Sequence, residues 1–213
     1  MATGGASNLW SDTFCIELLP GLFDLIIQSW KSFPQPSPFD LEVPITKRFC
    51  VHLENNKDRS IHLFRIDWDP NVLDETATNI GRIDIRVTHG YVAKEYFSFE
   101  CKRLNETDKK GKWSSLAGEY VDNGVMRYIS GQYSGGDNGG MIGYVMDGDT
   151  VKAIKCVNDA IEKRKEKLCI NHKAQLRRSS IRPKCHQTKE TEHLMKSGSF
   201  TVHHIFLPIM SCN

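Results

Sequence analysis

Two neighbouring stretches near the middle of the chain alternate apolar and polar residues, and the rest is arranged around them. In the first, Ile83, Ile85 and Val87 fall on one face, with Asp84 and Arg86 on the other. In the second, Phe97, Phe99 and Cys101 alternate with Ser98, Glu100 and Lys102. A period of two marks a strand with one buried face. The intervening His89-Gly90-Tyr91 supplies a turn residue, so the pair reads as a hairpin. Centred near Val92, that hairpin sets Asp84 across from Glu100.

Helical spacing governs the segment from Trp10 to Phe33, where Phe14, Leu18, Leu22, Leu25, Ile26 and Trp30 recur. Pro20-Gly21 predicts a bend or break inside it, and Pro34, Pro36 and Pro38 a stiff connector after it. A second helix is expected from a cap at Asp40, with Pro44 in its first turn and a buried stripe of Ile45, Phe49 and Leu53. Ile61 to Trp68 reads as a strand, 70–80 as a polar link, and Leu104 to Ser115 as a charged loop. From Leu116 to Tyr133 the pattern predicts a helix with a glycine-bearing end. Ser134 to Gly140 is a glycine-rich turn without the Lys-Ser/Thr ending of a phosphate-cradling loop.

Met141 to Met146 is continuously apolar, as a central strand buried on both faces would be. A helix capped near Asp149 or Thr150 follows, with Val151, Ile154, Val157 and Ile161 as its core stripe. Phe200 to Met210 resumes a strand pattern, with His203 and His204 on opposite faces. The order helix, three strands, helix, strand, helix predicts an α/β fold with a mixed central sheet flanked by helices. Residues 1–38 form an N-terminal helical lead-in, 39–165 the core, and 166–213 a basic C-terminal extension packed on it.

Composition changes this picture in two respects. The 213 residues carry a formal charge of only +2, but its distribution is uneven. Residues 1–149 hold 15 Lys and Arg against 21 Asp and Glu, whereas 150–213 hold 13 against 5. An acidic half beside a basic tail suits a metal site next to a phosphate-backbone track, with Arg177 and Arg178 as candidates in the tail; a solvated basic face accounts for the tail equally well. Seven cysteines in no framework spacing argue against a secreted disulfide scaffold. The apolar run from Leu18 to Ile27 is too short to span a bilayer. A reducing cytoplasm and no membrane partner are the expectation.

The candidate chemistry lies on the hairpin. Two carboxylates facing each other repel, and a divalent cation relieves them, with oxygen ligands suited to Mg2+ or Mn2+. Asp84, with Glu100-Cys101-Lys102 on the following strand, resembles the D…(D/E)-X-K signature of the restriction-endonuclease-like, or PD-(D/E)XK, nuclease superfamily, over roughly residues 39–160. The proline that often precedes the first aspartate is absent, and Ile83 stands in its place.

The resemblance implies a restriction-endonuclease-like αβββαβ core and Mg2+-dependent cleavage of DNA, with Asp84, Glu100 and Lys102 as catalytic residues. It implies metal ligands from Asp84, Glu100, the Cys101 carbonyl and an acid on the preceding helix, for which Glu42 is the candidate. A first-turn glutamate favoured by the helix dipole is the plain alternative for Glu42. Tyr120, Arg127 and Gln132 would line the cleft, Arg127 gripping a phosphate oxygen; an ion pair of Arg127 with Glu119 or Asp122 is the alternative. Lys110, in the charged loop with Lys109 and Lys112, is placed for phosphates or is simply exposed. The resemblance extends to stand-alone nuclease subunits of bacterial defence systems, acting as homo-oligomers or beside a larger sensor or motor protein. Two other classes stand beside it: a non-catalytic nucleic-acid or protein-binding module, and a Cys–His hydrolase using Cys50, Cys101 or Cys156.

Overall fold

The apolar run after Gly140 becomes the middle of a seven-stranded sheet in the structure, a computed structural model. It describes residues 14–57, 64–73, 79–89, 96–131, 136–170, 175–196 and 198–210. The helices are α1 (Leu19–Ser32), α2 (Glu42–Asn56), α3 (Ala117–Tyr120), α4 (Met126–Ile129) and α5 (Thr150–Glu162). A π-helical turn, Val121–Val125, joins α3 to α4. The strands are β1 (Phe64–Trp68), β2 (Asn71–Leu73), β3 (Asn79–Arg82), β4 (Ile85–His89), β5 (Tyr96–Leu104), β6 (Glu106–Thr107), β7 (Trp113–Ser114), β8 (Asn138–Val145), β9 (Arg177–Arg178), β10 (Thr188–Met195) and β11 (Gly198–Pro208).

The main sheet runs β1-β4-β5-β8-β11-β10-β9. It is mixed: β8 lies parallel to β5 and to β11, and the other neighbours are antiparallel. Parallel neighbours need a crossover, and α3, the π turn and α4 supply it between β5 and β8. Helices cover both faces. Under α1 and α2 lie Phe97, Phe99, Cys101, Ile142 and Tyr144; under α3, α4 and α5 lie Met141, Val145, Val202 and Phe206. The chain is therefore a mixed α/β protein with a central sheet flanked by helices, and residues 166–213 contribute strands to that sheet. Among the described residues no helix is long and apolar enough to cross a membrane.

Several local expectations are corrected. Pro20 neither bends nor splits α1; it stands in the first turn, where a missing N–H costs nothing. Asp40 does not cap α2, whose N-cap is Leu41; its carboxylate instead accepts a bond from Arg48 at 2.6 Å. The link at 70–80 contains the small ribbon β2–β3, and the charged loop folds into the hairpin β6–β7. Asp149 does cap α5, accepting from the Lys152 amide at 2.9 Å. Its buried side is Ala153, Val157, Ala160 and Ile161, however, while Val151 is 80% exposed.

The most consequential correction concerns the hairpin. Ile83 does not share a face with Ile85 and Val87: it packs under α3–α5, and they pack under α1 and α2. The chain rotates at Asp84 before entering β4. Nor is the polar face of β5 solvated, for Ser98 and Glu100 are buried beneath the helices of the second layer.

Candidate active site

The pairing of β4 with β5 runs from Ile85 opposite Phe99 to Thr88 opposite Tyr96, the register that a centre near residue 92 dictates. Extended one step, it sets Asp84 against Glu100, where the ladder has stopped. There the Asp84 carboxylate substitutes for a strand carbonyl: its Oδ2 accepts the Cys101 amide at 2.7 Å. Two backbone bonds fix the approach, with Ile83 donating to the Pro70 carbonyl and Asp69 donating to that of Asp84. The rotation at Asp84 thus brings its side chain to the end of β5.

Lys102 is the centre of the cluster. Its Nζ donates to Glu100 Oε1 at 3.0 Å, to Glu42 Oε1 at 3.1 Å and to the Cys101 carbonyl at 2.7 Å, and lies 3.8 Å from Asp84 Oδ2. Glu42 arrives from the first turn of α2, and its second oxygen accepts the Arg103 amide at 3.2 Å. Glu100, with 0% of its side chain exposed, also accepts from Arg127 Nη1 at 2.7 Å. The four side chains come from three separate stretches of sequence, and each is aimed by a regular element or a strand end.

Burial acts against the charges here. It raises the Glu42 carboxyl above its ordinary value, partly offset by Lys102. Burial alone would lower Lys102, but Glu100, Asp84 and Glu42 outweigh it and hold the ammonium above the usual lysine value. Lys102 is therefore charged at neutral pH and is a hydrogen-bond donor rather than a base. The two nearby thiols are pushed up too, Cys50 to about 12 and Cys101 well above a free thiol, chiefly by burial, which here favours the neutral form. A thiol in that state supplies no thiolate nucleophile.

Other candidates are not brought to the cluster. Tyr120 lines no cleft: it is fully buried, its hydroxyl lies 3.0 Å from His204 Nδ1, and its ring stacks on His204 and Phe206. Arg177 and Arg178 form the edge strand β9, four strands from β5 and so about 19 Å away at the usual ~4.8 Å spacing. Arg177 faces Glu192 at 3.1 Å and Glu190 at 3.7 Å. Lys110 sits at the tip of the β6–β7 hairpin. Gln132 lies outside the described residues. Arg127 bonds Glu100 and not Asp122, which Arg164 engages through two bonds of 2.6 Å.

Sequence reasoning passed over Gly124. It lies in the π turn directly above Lys102, and a Cβ there would collide with Met141 Cε and come within 3.6 Å of Lys102 Cγ. A glycine in the middle of a predicted helix was the one available signal, because a π turn has no residue code of its own.

As the side chains stand, no three His, Cys, Asp or Glu among the described residues are grouped to hold a metal ion. The Lys102 ammonium occupies the space between the carboxylates. No protein-family model, curated protein or solved structure matches the chain.

Proposed function

We propose that this chain is a metal-dependent nuclease that hydrolyses phosphodiester bonds in DNA, on a restriction-endonuclease-like core. The reading rests on one observation: three carboxylates from α2, the start of β4 and β5 converge with a backbone carbonyl on a single half-buried lysine. The order α2, β1, β4, β5, α3–α4, β8 in and around the main sheet agrees with it.

By its chemistry, though not by its present grouping around the Lys102 ammonium, the donor set suits a hard divalent cation. Glu42, Asp84, Glu100 and the Cys101 carbonyl offer oxygen only, which suits Mg2+ or Mn2+ and not a soft metal. These four groups would hold the cation. When bound, such an ion supplies a water of lowered pKa and a counter-charge for the phosphate. Asp84 and Glu42 keep one oxygen each on a backbone amide, so their carboxylates are oriented before substrate arrives. Lys102, already protonated, donates a hydrogen bond to the attacking water or to the phosphate oxygens, where charge builds up. Arg127, a third of whose side chain is exposed, covers Glu100 and meets a phosphate oxygen at the rim. Action as a homo-oligomer, or beside a larger sensor or motor protein in a bacterial defence system, belongs to the same reading.

The test is incubation of plasmid, linear duplex and single-stranded DNA with Mg2+ or Mn2+. Cleavage that disappears with chelator, and falls by about 10²–10³ in Asp84→Ala and Lys102→Ala, is the expected result. Undiminished cutting by both variants refutes the reading. A second reading, a non-catalytic binding module, draws on the charge balance: Lys102 and Arg127 already neutralise Glu100, as in an ion network that serves the fold alone. DNA binding insensitive to chelator, with no substrate cut, would favour it.

A further inference from the structure

The hairpin β6–β7 grows out of the end of β5, so its turn follows Lys102 by only a few residues. Its pairs are Glu106 with Ser114 and Thr107 with Trp113. Between them the turn carries Lys109, Lys110 and Lys112, all exposed. The only acid in that turn is Asp108, and its carboxylate is directed inward. One oxygen accepts the Lys110 amide at 2.8 Å and the Lys112 amide at 2.9 Å. Backbone bonds from Gly111 to the Asp108 carbonyl and from Asp108 to the Lys112 carbonyl close the turn, and Gly111 takes the positive φ of 80° that it requires.

The acid that would neutralise the lysines therefore braces the backbone beneath them. Among the described residues none of the three ammonium groups has an ion-pair partner. The base of the hairpin is anchored as well: Arg103 pairs with Glu106 at 3.1 Å, and Asn105 donates to Asp147 at 3.0 Å. Trp113 donates its indole N–H to Asp147 at 3.3 Å, and Lys152 lies 3.7 Å from the ring centroid. A braced turn bearing three unpaired positive charges is a preformed contact for a polyanion, since little conformational entropy remains to be lost on binding.

We propose that the β6–β7 hairpin is a phosphate-contacting arm, which holds the nucleic-acid backbone away from the scissile bond through Lys109, Lys110 and Lys112. The proposal rests on the nuclease reading and deepens it. Lys110 is eight positions after Lys102, so the tip lies at most about 29 Å along an extended chain from the cluster. At 3.4 Å per nucleotide along one strand, that is about eight nucleotides. The arm thus acts on substrates that continue past the cut, and short ones escape it.

The experiment uses the full chain carrying Asp84→Ala, so that nothing is cut, and a fluorescently labelled 30-base-pair duplex titrated from 50 to 300 mM salt. Replacing Lys109, Lys110 and Lys112 together by Gln is expected to flatten the slope of log Kd against log salt by about two to three, because each lost phosphate contact removes roughly 0.9. Affinity near 100 mM salt should fall at least tenfold, and a duplex too short to reach the tip should bind both proteins alike. An unchanged slope, with Kd within twofold, overturns the arm and leaves the nuclease reading standing. Failure of the Asp84→Ala protein with its lysines intact to bind any duplex overturns both.

Discussion

Glu100 has no exposed surface, and the cations of Lys102 and Arg127 pair with its carboxylate. Removing one partner of a buried ion pair costs of the order of 3–5 kcal/mol, because the other charge stays behind without compensation. Lys102→Met should therefore lower the unfolding temperature as well as abolish cleavage. It also leaves the oxygens of Glu42, Asp84, Glu100 and Cys101 facing a vacated space. Mg2+ should then raise the melting temperature of Lys102→Met more than that of the unaltered protein; thermal unfolding with Mg2+ and with chelator measures this. Equal shifts in the two proteins count against a cation site among these oxygens. At this scale much was legible. Alternation and the arithmetic of the hairpin brought Asp84 opposite Glu100, and two-residue spacing put Lys102 beside it. What alternation cannot reveal is the rotation at Asp84, since a strand pattern assigns Ile83 and Ile85 to one face and only packing separates them. Tyr120 went astray for a related reason: a tyrosine on a helix beside a predicted cleft reads the same as one sealed under the sheet.

Among the elements, β8 decides whether the site is held. It is the strand on which β5 lies parallel, with Lys102 beside Gly143 and Glu100 beside Met141. At Gly139 and Gly140 aromatic rings come close against its backbone. A Cβ at Gly140 would overlap the ring of Phe99 and stand 2.8 Å from Phe97 Cε1. Gly140→Ala should cost about 1–3 kcal/mol, the usual penalty for overpacking a core. Because Phe97 and Phe99 belong to β5, the same change should reduce cleavage; denaturant unfolding and the cleavage assay together check it, and an unaltered midpoint would show that the rings yield freely. The elements themselves were legible where local pattern and burial agree. The stripe of α2 and the apolar run of β8 needed no further information. The break expected in α1 failed because a proline is judged by its position in the helix, which the local pattern leaves open by several residues. The stripe of α5 held at Val157 and Ile161, with Ile154 packed against the core; only Val151, in the first turn, faces outward, and Ala153 and Ala160 complete the buried side.

Over the whole molecule the C-terminal strands do more than widen the sheet. They carry three histidines into its interior, and the hydrogen bonds settle how two of them are protonated. The Leu168 carbonyl can only accept, so His193 Nδ1 donates to it at 2.7 Å. A neutral ring then accepts at Nε2, from the Thr191 hydroxyl at 2.8 Å. That hydroxyl has one hydrogen, so toward His204 Nε2, at 3.0 Å, it is the acceptor. His204 Nδ1 is left to accept from Tyr120. The run Tyr120–His204–Thr191–His193–Leu168 thus has a single direction, and protonating either ring breaks it. Burial is the main cause holding all three histidines below their ordinary value, His203 down to about 4; the nearby Glu190 opposes the fall at His203. In the unfolded chain the same rings titrate near ~6.5. Between that pH and about 4 the unfolded chain binds protons that the native one refuses, so stability declines as pH falls through this range and is fully present above it. Glu42, raised by burial, acts in the opposite sense above the ordinary glutamate value. His203 alone accounts for roughly 3 kcal/mol between pH 7 and pH 4, at about 1.4 kcal/mol per pKa unit. Melting temperatures measured from pH 7.5 to 4.5 should fall steeply for the native chain and less steeply for His203→Gln, whatever the variant's starting stability. Parallel curves would mean that some other group governs the acid response.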